Sequence, residues 1–319
     1  MPGLTATDVV SRETLQTEMI SLARRGAVTE RDERLMEYLR ELNVLSLPQI
    51  HRLLWPDDVQ QKTVYNRIHR LVKYHLFAGA RTPRAEMRAI GLQPGKVYTL
   101  GPLGRLWLKQ EVDDAFVARF LKRNQVLHDL MVSEVFVRMT ERTFTLGEQW
   151  SLGWAGEYTA SLYETGATNT PVPILAPDGL GILQQSIDGT TSSLPFFIEI
   201  DAGREAHGRP SSDWGRKIIG YDRWFAANWR THPVLNNLPA FPVVLVITHG
   251  KQRLLNLAQA IKQKRKKPVV FYLTLWNDLI SADDIFSAPV WLIIDPQGNI
   301  IGENTDERRA LIVQDPTEV

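Results

Sequence analysis

The chain has 319 residues, enough for two domains with cores of their own, and its 37 Lys and Arg nearly balance its 36 Asp and Glu. A net charge of +1 means that a polyanionic partner would have to be held by a local patch rather than by the overall field. The absence of cysteine excludes disulfides, thiolate metal sites and a cysteine nucleophile, and fits a cytoplasmic protein. The best apolar run, 241–247, is far too short to span a bilayer, and the acids Asp8, Glu13 and Glu18 argue against a secretory signal, so we expect a soluble protein without a membrane partner.

Residues 1–28 are polar and weakly patterned, and we expect a poorly ordered arm with at most a short helix over 12–25. From Thr29 the signals sharpen. Thr29 can cap a helix whose apolar stripe is Leu35, Met36, Leu39 and Leu42 and which stops at Asn43. A second short helix over 47–55 is capped by Ser46, carries Pro48 in its first turn and ends before Pro56. A third, over 59–76, has Val64, Ile68, Leu71, Val72 and Leu76 on one side and Lys62, Thr63, Asn66, Arg67, Arg70 and Lys73 on the other or beside it.

Three helices in this order with short turns read as a helix-turn-helix whose third helix is the reader. Two strand-like pieces come next, 77–81 and 96–100, joined by a basic stretch containing Arg84, Arg88, Pro94 and Gly95, which reads as a wing. Between Val59 and Leu100 stand eight Lys or Arg, the last three being Arg84, Arg88 and Lys96 after Arg81, against the single acid Glu86. A local excess of seven in a chain of net +1 concentrates basicity where a winged helix would meet duplex DNA. The bland alternative is a solvated basic helix in a protein-interaction domain. With a closing helix over 101–109, this first domain is expected to span 29–110.

The longest helical pattern, 116–140, opens the second domain, expected over 111–295. Phe120, Leu127, Leu130, Met131 and Val135 form its stripe; Glu134 falls on or beside it and His128 reads as structural. Residues 143–160 alternate as strands, with Glu148 near the end of the first, and 164–173 reads as a surface loop. A strand after Asp178, a strand over 194–201, an amphipathic helix with Lys217 and Tyr221, and the apolar strand 241–248 come after it. A helix over 251–266, strands over 269–275 and 289–294, and a polar tail over 296–319 complete the chain.

Period-2 geometry puts Glu199 and Asp201 on one strand face with Phe197. Two ionised carboxylates on a largely apolar strand need cationic compensation, from a hard divalent ion, from Arg204 or from Lys217. Pro177-Asp178, then Glu199 on the next apolar strand, then Lys217, resembles the PD-(D/E)xK nuclease superfamily, although Asp201 stands where its lysine usually falls and Lys217 would be a displaced one. The order helix, three strands, helix, strand, helix, strand agrees with that core. With the winged helix-turn-helix read above, the resemblance implies an α/β (α+β) chain whose C-terminal part is a PD-(D/E)xK-like mixed sheet.

A closer resemblance rests on several segments in order: Val97-Tyr98-Thr99-Leu100-Gly101-Pro102-Leu103-Gly104, Leu127-His128, Pro177-Asp178, Phe197-Ile198-Glu199-Ile200-Asp201-Ala202-Gly203-Arg204-Glu205, Lys217 with Tyr221, and Phe241-Pro242-Val243-Val244-Leu245. Together they are similar to the replication-relaxation family of mobile-element proteins. This likeness implies a part in replication, relaxation or transfer of a plasmid or integrated element, alongside other replication or transfer proteins.

For an active nuclease, Asp178, Glu199 and Asp201 would bind Mg²⁺ or Mn²⁺ and Lys217 would orient the nucleophile or stabilise the transition state. Glu134, Glu148 and Arg204 are accessory candidates. The competing expectations are a catalytically degenerate DNA-binding regulator or initiator, which Asp201 favours, and a covalent relaxase using Tyr221. None of the seven histidines forms a His-x-His pair, and Tyr221 sits among packing residues. A palindromic target would call for a homodimer, yet no heptad demands one.

Overall fold

Two helices of the N-terminal part begin where a side chain satisfies their first amides. Thr29 and Asp32 form a reciprocal capping box on α2 (Glu30–Leu42), with the Thr29 N–H donating to Asp32 Oδ2 at 2.7 Å, and Leu35, Met36, Leu39 and Leu42 are buried. Ser46 and Gln49 repeat the device on α3 (Leu47–Leu54), after the two-residue strand β1 (Leu45–Ser46). On α4 (Gln61–Lys73), Val64, Ile68 and Leu71 are buried at helical spacing. α1 (Arg12–Arg24) precedes them with Leu15 and Leu22 buried, so the stretch read as an arm contributes two core residues.

The computed structural model describes residues 12–57, 60–82, 84–109, 123–165, 171–201, 213–227 and 229–312. The chain divides into two units, Met1–Ser133 and Glu134–Val319. In the first, β2 (Phe77–Arg81) and β3 (Lys96–Leu100) pair antiparallel and β1 adds to the far side of β3, giving the order β1-β3-β2. The connection between β2 and β3 is not an open wing loop throughout. It contains α5 (Arg84–Ala89), because Met87 is drawn into a cluster with Val44, Val97 and Leu130 and anchors a helical turn. α6 (Pro102–Trp107) closes the unit; a Cβ on its Gly104 would stand 2.3 Å from the Leu76 carbonyl oxygen, so glycine is what permits the close crossing.

The division between units falls within α7 (Arg123–Leu146); the start of the long helix expected from residue 116 lies outside the described residues. α7 continues through Phe144 and Leu146, which the alternating pattern had suggested as strand, and β4 (Trp150–Gly156) begins after a turn at Gly147. α8 (Glu157–Ala160) leads to β5 (Leu162–Thr165) and β6 (Pro171–Leu175), which pair antiparallel where a surface loop was expected.

The main sheet has β7 (Gly179–Ile187), β8 (Thr190–Asp201), β9 (Val243–Thr248), β10 (Phe271–Leu275), β11 (Leu292–Ile294) and β12 (Ile300–Ile301), in the order β12-β11-β10-β9-β8-β7-β4. β8, β9 and β10 run parallel; the other pairs are antiparallel, so the chain is a mixed α+β protein. α9 (Asp213–Ala226) and α10 (Lys251–Lys264) make the crossovers, and α11 (Trp276–Ser281) comes after β10. Trp214, Ile218, Tyr221 and Trp224 of α9 join Leu254, Leu257 and Ile261 of α10 in one core with Phe197, Val244, Val246, Phe271 and Leu273 of the sheet.

The segment expected as a polar tail is partly built in. β12 pairs with β11, Trp291 bridges to Arg309, and Arg308 is paired with Asp278 at 2.6 Å. Among the described residues no helix is long and apolar enough to cross a membrane.

Candidate active site and nucleic-acid surface

The β7–β8 hairpin turns at Asp188-Gly189, both with positive φ, as a two-residue turn between twisted strands requires. Its register pairs Gly179 with Ile198, so the next position back, Asp178, comes opposite Glu199. The Asp178 N–H donates to the Ile198 carbonyl at 3.0 Å, and Asp178 Oδ2 accepts the Ile200 N–H at 2.6 Å, which fixes the carboxylate against β8. Glu199 is fully buried. Its Oε2 accepts from Lys217 Nζ at 2.7 Å and its Oε1 from the Tyr221 hydroxyl at 2.7 Å. Those two donors stand four residues apart on α9, hence on one helix face.

Burial pushes the Glu199 carboxyl up to about 7, against the pull of the Lys217 ammonium and with a further push from Asp178. Burial, then the neighbouring Glu199, raises the Tyr221 phenol well above its usual range, so the hydroxyl keeps its proton. The Lys217 ammonium lies 5.2 Å from the centre of the Trp214 ring, one helical turn earlier, a favourable cation–π position.

Asp201, two residues further on the same face, is held by different groups. Arg253 Nη2 donates to Oδ1 at 2.6 Å, Arg253 Nε donates to Oδ2, and the Thr248 hydroxyl donates to Oδ2 at 2.7 Å. This buried bidentate pair joins β8, β9 and the first turn of α10. Of the side-chain cations expected at the acid face, Lys217 meets Glu199 and Arg204 lies outside the described residues, while Asp201 is met by Arg253. Arg253 escaped the sequence reading; its only signal was a basic residue in the first turn after a buried strand, which does not reveal the strand it faces.

Glu134 is buried and paired within α7 to Arg138 at 3.1 Å, His128 lies 3.4 Å from Asp129, and Glu148 is exposed in the turn before β4. Among the described residues no three His, Asp or Glu side chains gather as a metal-binding group, so Asp178, Glu199, Asp201 and Glu134 do not form one. The donor chemistry of Asp178 and Glu199 alone suits a hard cation of the Mg²⁺ type, which is held by one or two carboxylates with water and substrate phosphate completing the shell. Asp201, whose two oxygens take three donors from the Arg253 guanidinium and Thr248, does not suit that role, whereas Glu199 would take it by giving up its bond to Lys217 or Tyr221.

In the first unit, Lys62, Thr63, Asn66, Arg70 and Lys73 are all exposed along α4. Arg67 is turned inward: its Nε donates to Asp32 Oδ1 at 3.0 Å, its Nη2 to Asp32 Oδ2 and to the Ala27 carbonyl at 2.9 Å. It ties α4 to the cap of α2 instead of extending the outward row. Arg81 and Lys96, with His69, Val72, Gly79, Ala80 and Tyr98, line a concavity of about 320 Å³ beside α4. Lys96 Nζ is 5.1 Å from the centre of the Tyr65 ring and 3.2 Å from its hydroxyl, and Arg84 and Arg88 are exposed on α5.

No curated protein and no solved structure matches the chain. The family model described as replication-relaxation matches residues 36–238, well over half of the 319, from within α2 to the segment before β9. That span takes in the outward face of α4 together with Asp178, Glu199, Lys217 and Tyr221. The chain belongs to the replication-relaxation family.

Proposed function

We propose that the chain is a DNA-binding, metal-dependent endonuclease of the nicking type, acting in replication, relaxation or transfer of a mobile element. The support is geometric: Asp178 just before β7, Glu199 on β8 and Lys217 on α9 lie together though far apart in the chain. Their types and order are those of the PD-(D/E)xK pattern with its lysine moved to the following helix. Asp178 and Glu199 would hold Mg²⁺ or Mn²⁺, which supplies an activated water and neutralises charge at the phosphate. Lys217 brings a positive charge toward the anion that develops at phosphorus, and the Trp214 ring steadies its ammonium. Tyr221 orients Glu199 through its hydrogen bond. A phenol buried this deeply and raised this far favours attack by water over a covalent phosphotyrosine.

The first unit acts as the targeting module, a winged helix-turn-helix laying the exposed row of α4 in the major groove while Arg81 and Lys96 meet the flanking backbone. Supercoiled plasmid is the direct test, incubated with Mg²⁺ or Mn²⁺ and wild type, Asp178→Ala or Glu199→Ala. Nicking by wild type that falls at least about 10³-fold in both variants, with DNA affinity intact, is the expected result. A second reading, a DNA-binding regulator or initiator without cleavage, draws on the Asp201–Arg253 pair, which stands where the superfamily's catalytic lysine would lie. Binding without cleavage of plasmid or origin DNA in either metal would decide for it.

A further inference from the structure

The last turn of α10 and the residues after it read Lys262-Gln263-Lys264-Arg265-Lys266-Lys267, five basic residues in six. A basic final turn is ordinary for a helix C-terminus, but α10 ends at Lys264 and the loop beyond it is fixed by bonds of its own. The Lys266 and Lys267 N–H groups donate to the two oxygens of Asp222 at 2.7 and 3.0 Å, and Asp222 is itself buried on α9. Arg265 is turned to internal partners, donating to the carbonyls of Val269, Asp295 and Pro296. The loop is thus pinned from both sides by its backbone and its one arginine, while Lys262, Lys266 and Lys267 remain exposed. A buried carboxylate committed to these two backbone amides fixes where the chain presents Lys266 and Lys267.

We infer that this pinned loop is a second backbone-contact site, on the nuclease-like unit itself, that grips the phosphates of duplex DNA. The inference rests on the proposed nuclease reading and deepens it. Asp222 lies five residues beyond Lys217 on α9, ~7.5 Å of helical rise. Five residues also turn about 140° around the helix axis, so the loop stands on a different side of α9 from Lys217 and would take the duplex flanking the cleavage centre. Charge complementarity supports DNA: in a chain of net +1, Lys262 on the last turn of α10 with Lys266 and Lys267 on the loop after it make a local field, not a global one.

The test is fluorescence anisotropy of a labelled 30-base-pair duplex across a KCl series, with the full chain as wild type, Lys262→Gln/Lys266→Gln/Lys267→Gln, Asp222→Ala, and Lys62→Gln/Arg70→Gln/Lys73→Gln, each checked by circular dichroism. The loop triple variant should lower the slope of log Kd against log salt by about two to three and weaken binding at least about tenfold near 0.15 M salt. Asp222→Ala adds positive charge yet unpins the loop, so weaker binding is expected; tighter binding would mean that bare charge explains everything and would overturn the inference. An unchanged slope in the loop variant, with binding lost in the α4 variant, overturns the inference and leaves the proposed function standing. Wild type that does not bind duplex overturns both, and loop-dependent binding to phosphatidylserine vesicles in place of DNA would reassign the loop to a lipid surface.

Discussion

Glu199 and Asp201 are two residues apart on one strand face, both fully buried, and each meets a cation from a different helix. Their surroundings nevertheless diverge. Asp201 is saturated: a guanidinium fork takes both oxygens and a threonine adds a third donor. Glu199 has a single ammonium, a phenol and, across the hairpin, the carboxylate of Asp178, which pushes against it. A saturated ion pair holds elements together and offers nothing to a ligand. An acid kept at about 7 by burial and a neighbouring carboxylate is poised to exchange its proton or its ammonium for something else. The same residue class on the same face is thus structural at one position and suited to chemistry at the other.

That contrast can be broken in four ways, in descending order of expected effect. Arg253→Ala leaves Asp201 charged and buried and should cost about 3–5 kcal/mol in urea unfolding; a loss under about 1 kcal/mol would erase the distinction. For Glu199 the pH dependence carries the sign. Its folded value of about 7 lies above the 4.5 of a free glutamate, so its contribution to stability is fully present below 4.5 and is lost as pH rises through 7. Glu199→Gln should flatten that decline, which would amount to roughly 2–3 kcal/mol between pH 4.5 and 8 in EDTA; parallel curves for variant and wild type would refute it.

Tyr221→Phe removes one hydrogen bond to a buried acid, about 1–2 kcal/mol in stability. It should slow nicking by less than about 100-fold while leaving no covalent adduct in either protein. A phosphotyrosine trapped on denaturing gels would move the chemistry from Asp178 and Glu199 to Tyr221. The smallest stability effect tests the same contrast in the first unit. Arg67→Gln should destabilise by about 1–2 kcal/mol through the loss of its pair with buried Asp32, whereas Arg70→Gln should stay within about 0.5 kcal/mol and instead weaken DNA binding.

The sequence exposed those parts whose signal is local. Capping at Thr29 and Ser46, the stripe of α4 and the shared face of Glu199 and Asp201 follow from spacing alone. Lys217 was within reach because two carboxylates on one apolar strand face call for a cation and the PD-(D/E)xK order places a lysine on the following helix. Arg253, Arg67 and Met87 were not, since each is decided by a partner distant in sequence: Asp201, Asp32, and the Val44–Val97–Leu130 cluster. An arginine beside other cations on a helix looks outward until the acid behind it is known. Glycine- and proline-bearing stretches were read as loops, yet α5 formed around Met87 because tertiary burial outweighs local turn preference.

The Asp201 clasp also bears on how the chain comes apart. Its three members are separated by 47 residues between Asp201 and Thr248 and by 52 between Asp201 and Arg253. Such a contact forms only once the crossover has closed, so it belongs late on the folding route and is absent from most of the barrier. Interactions of that kind set the lifetime of the native state more than the speed of reaching it. In a chevron experiment Arg253→Met should therefore raise the unfolding limb while leaving the refolding limb almost where it was; a shift mainly in refolding would place the clasp early. The pair that takes no part in the proposed chemistry would then act as the timer on the fold, keeping β8, β9 and α10 joined between rare openings.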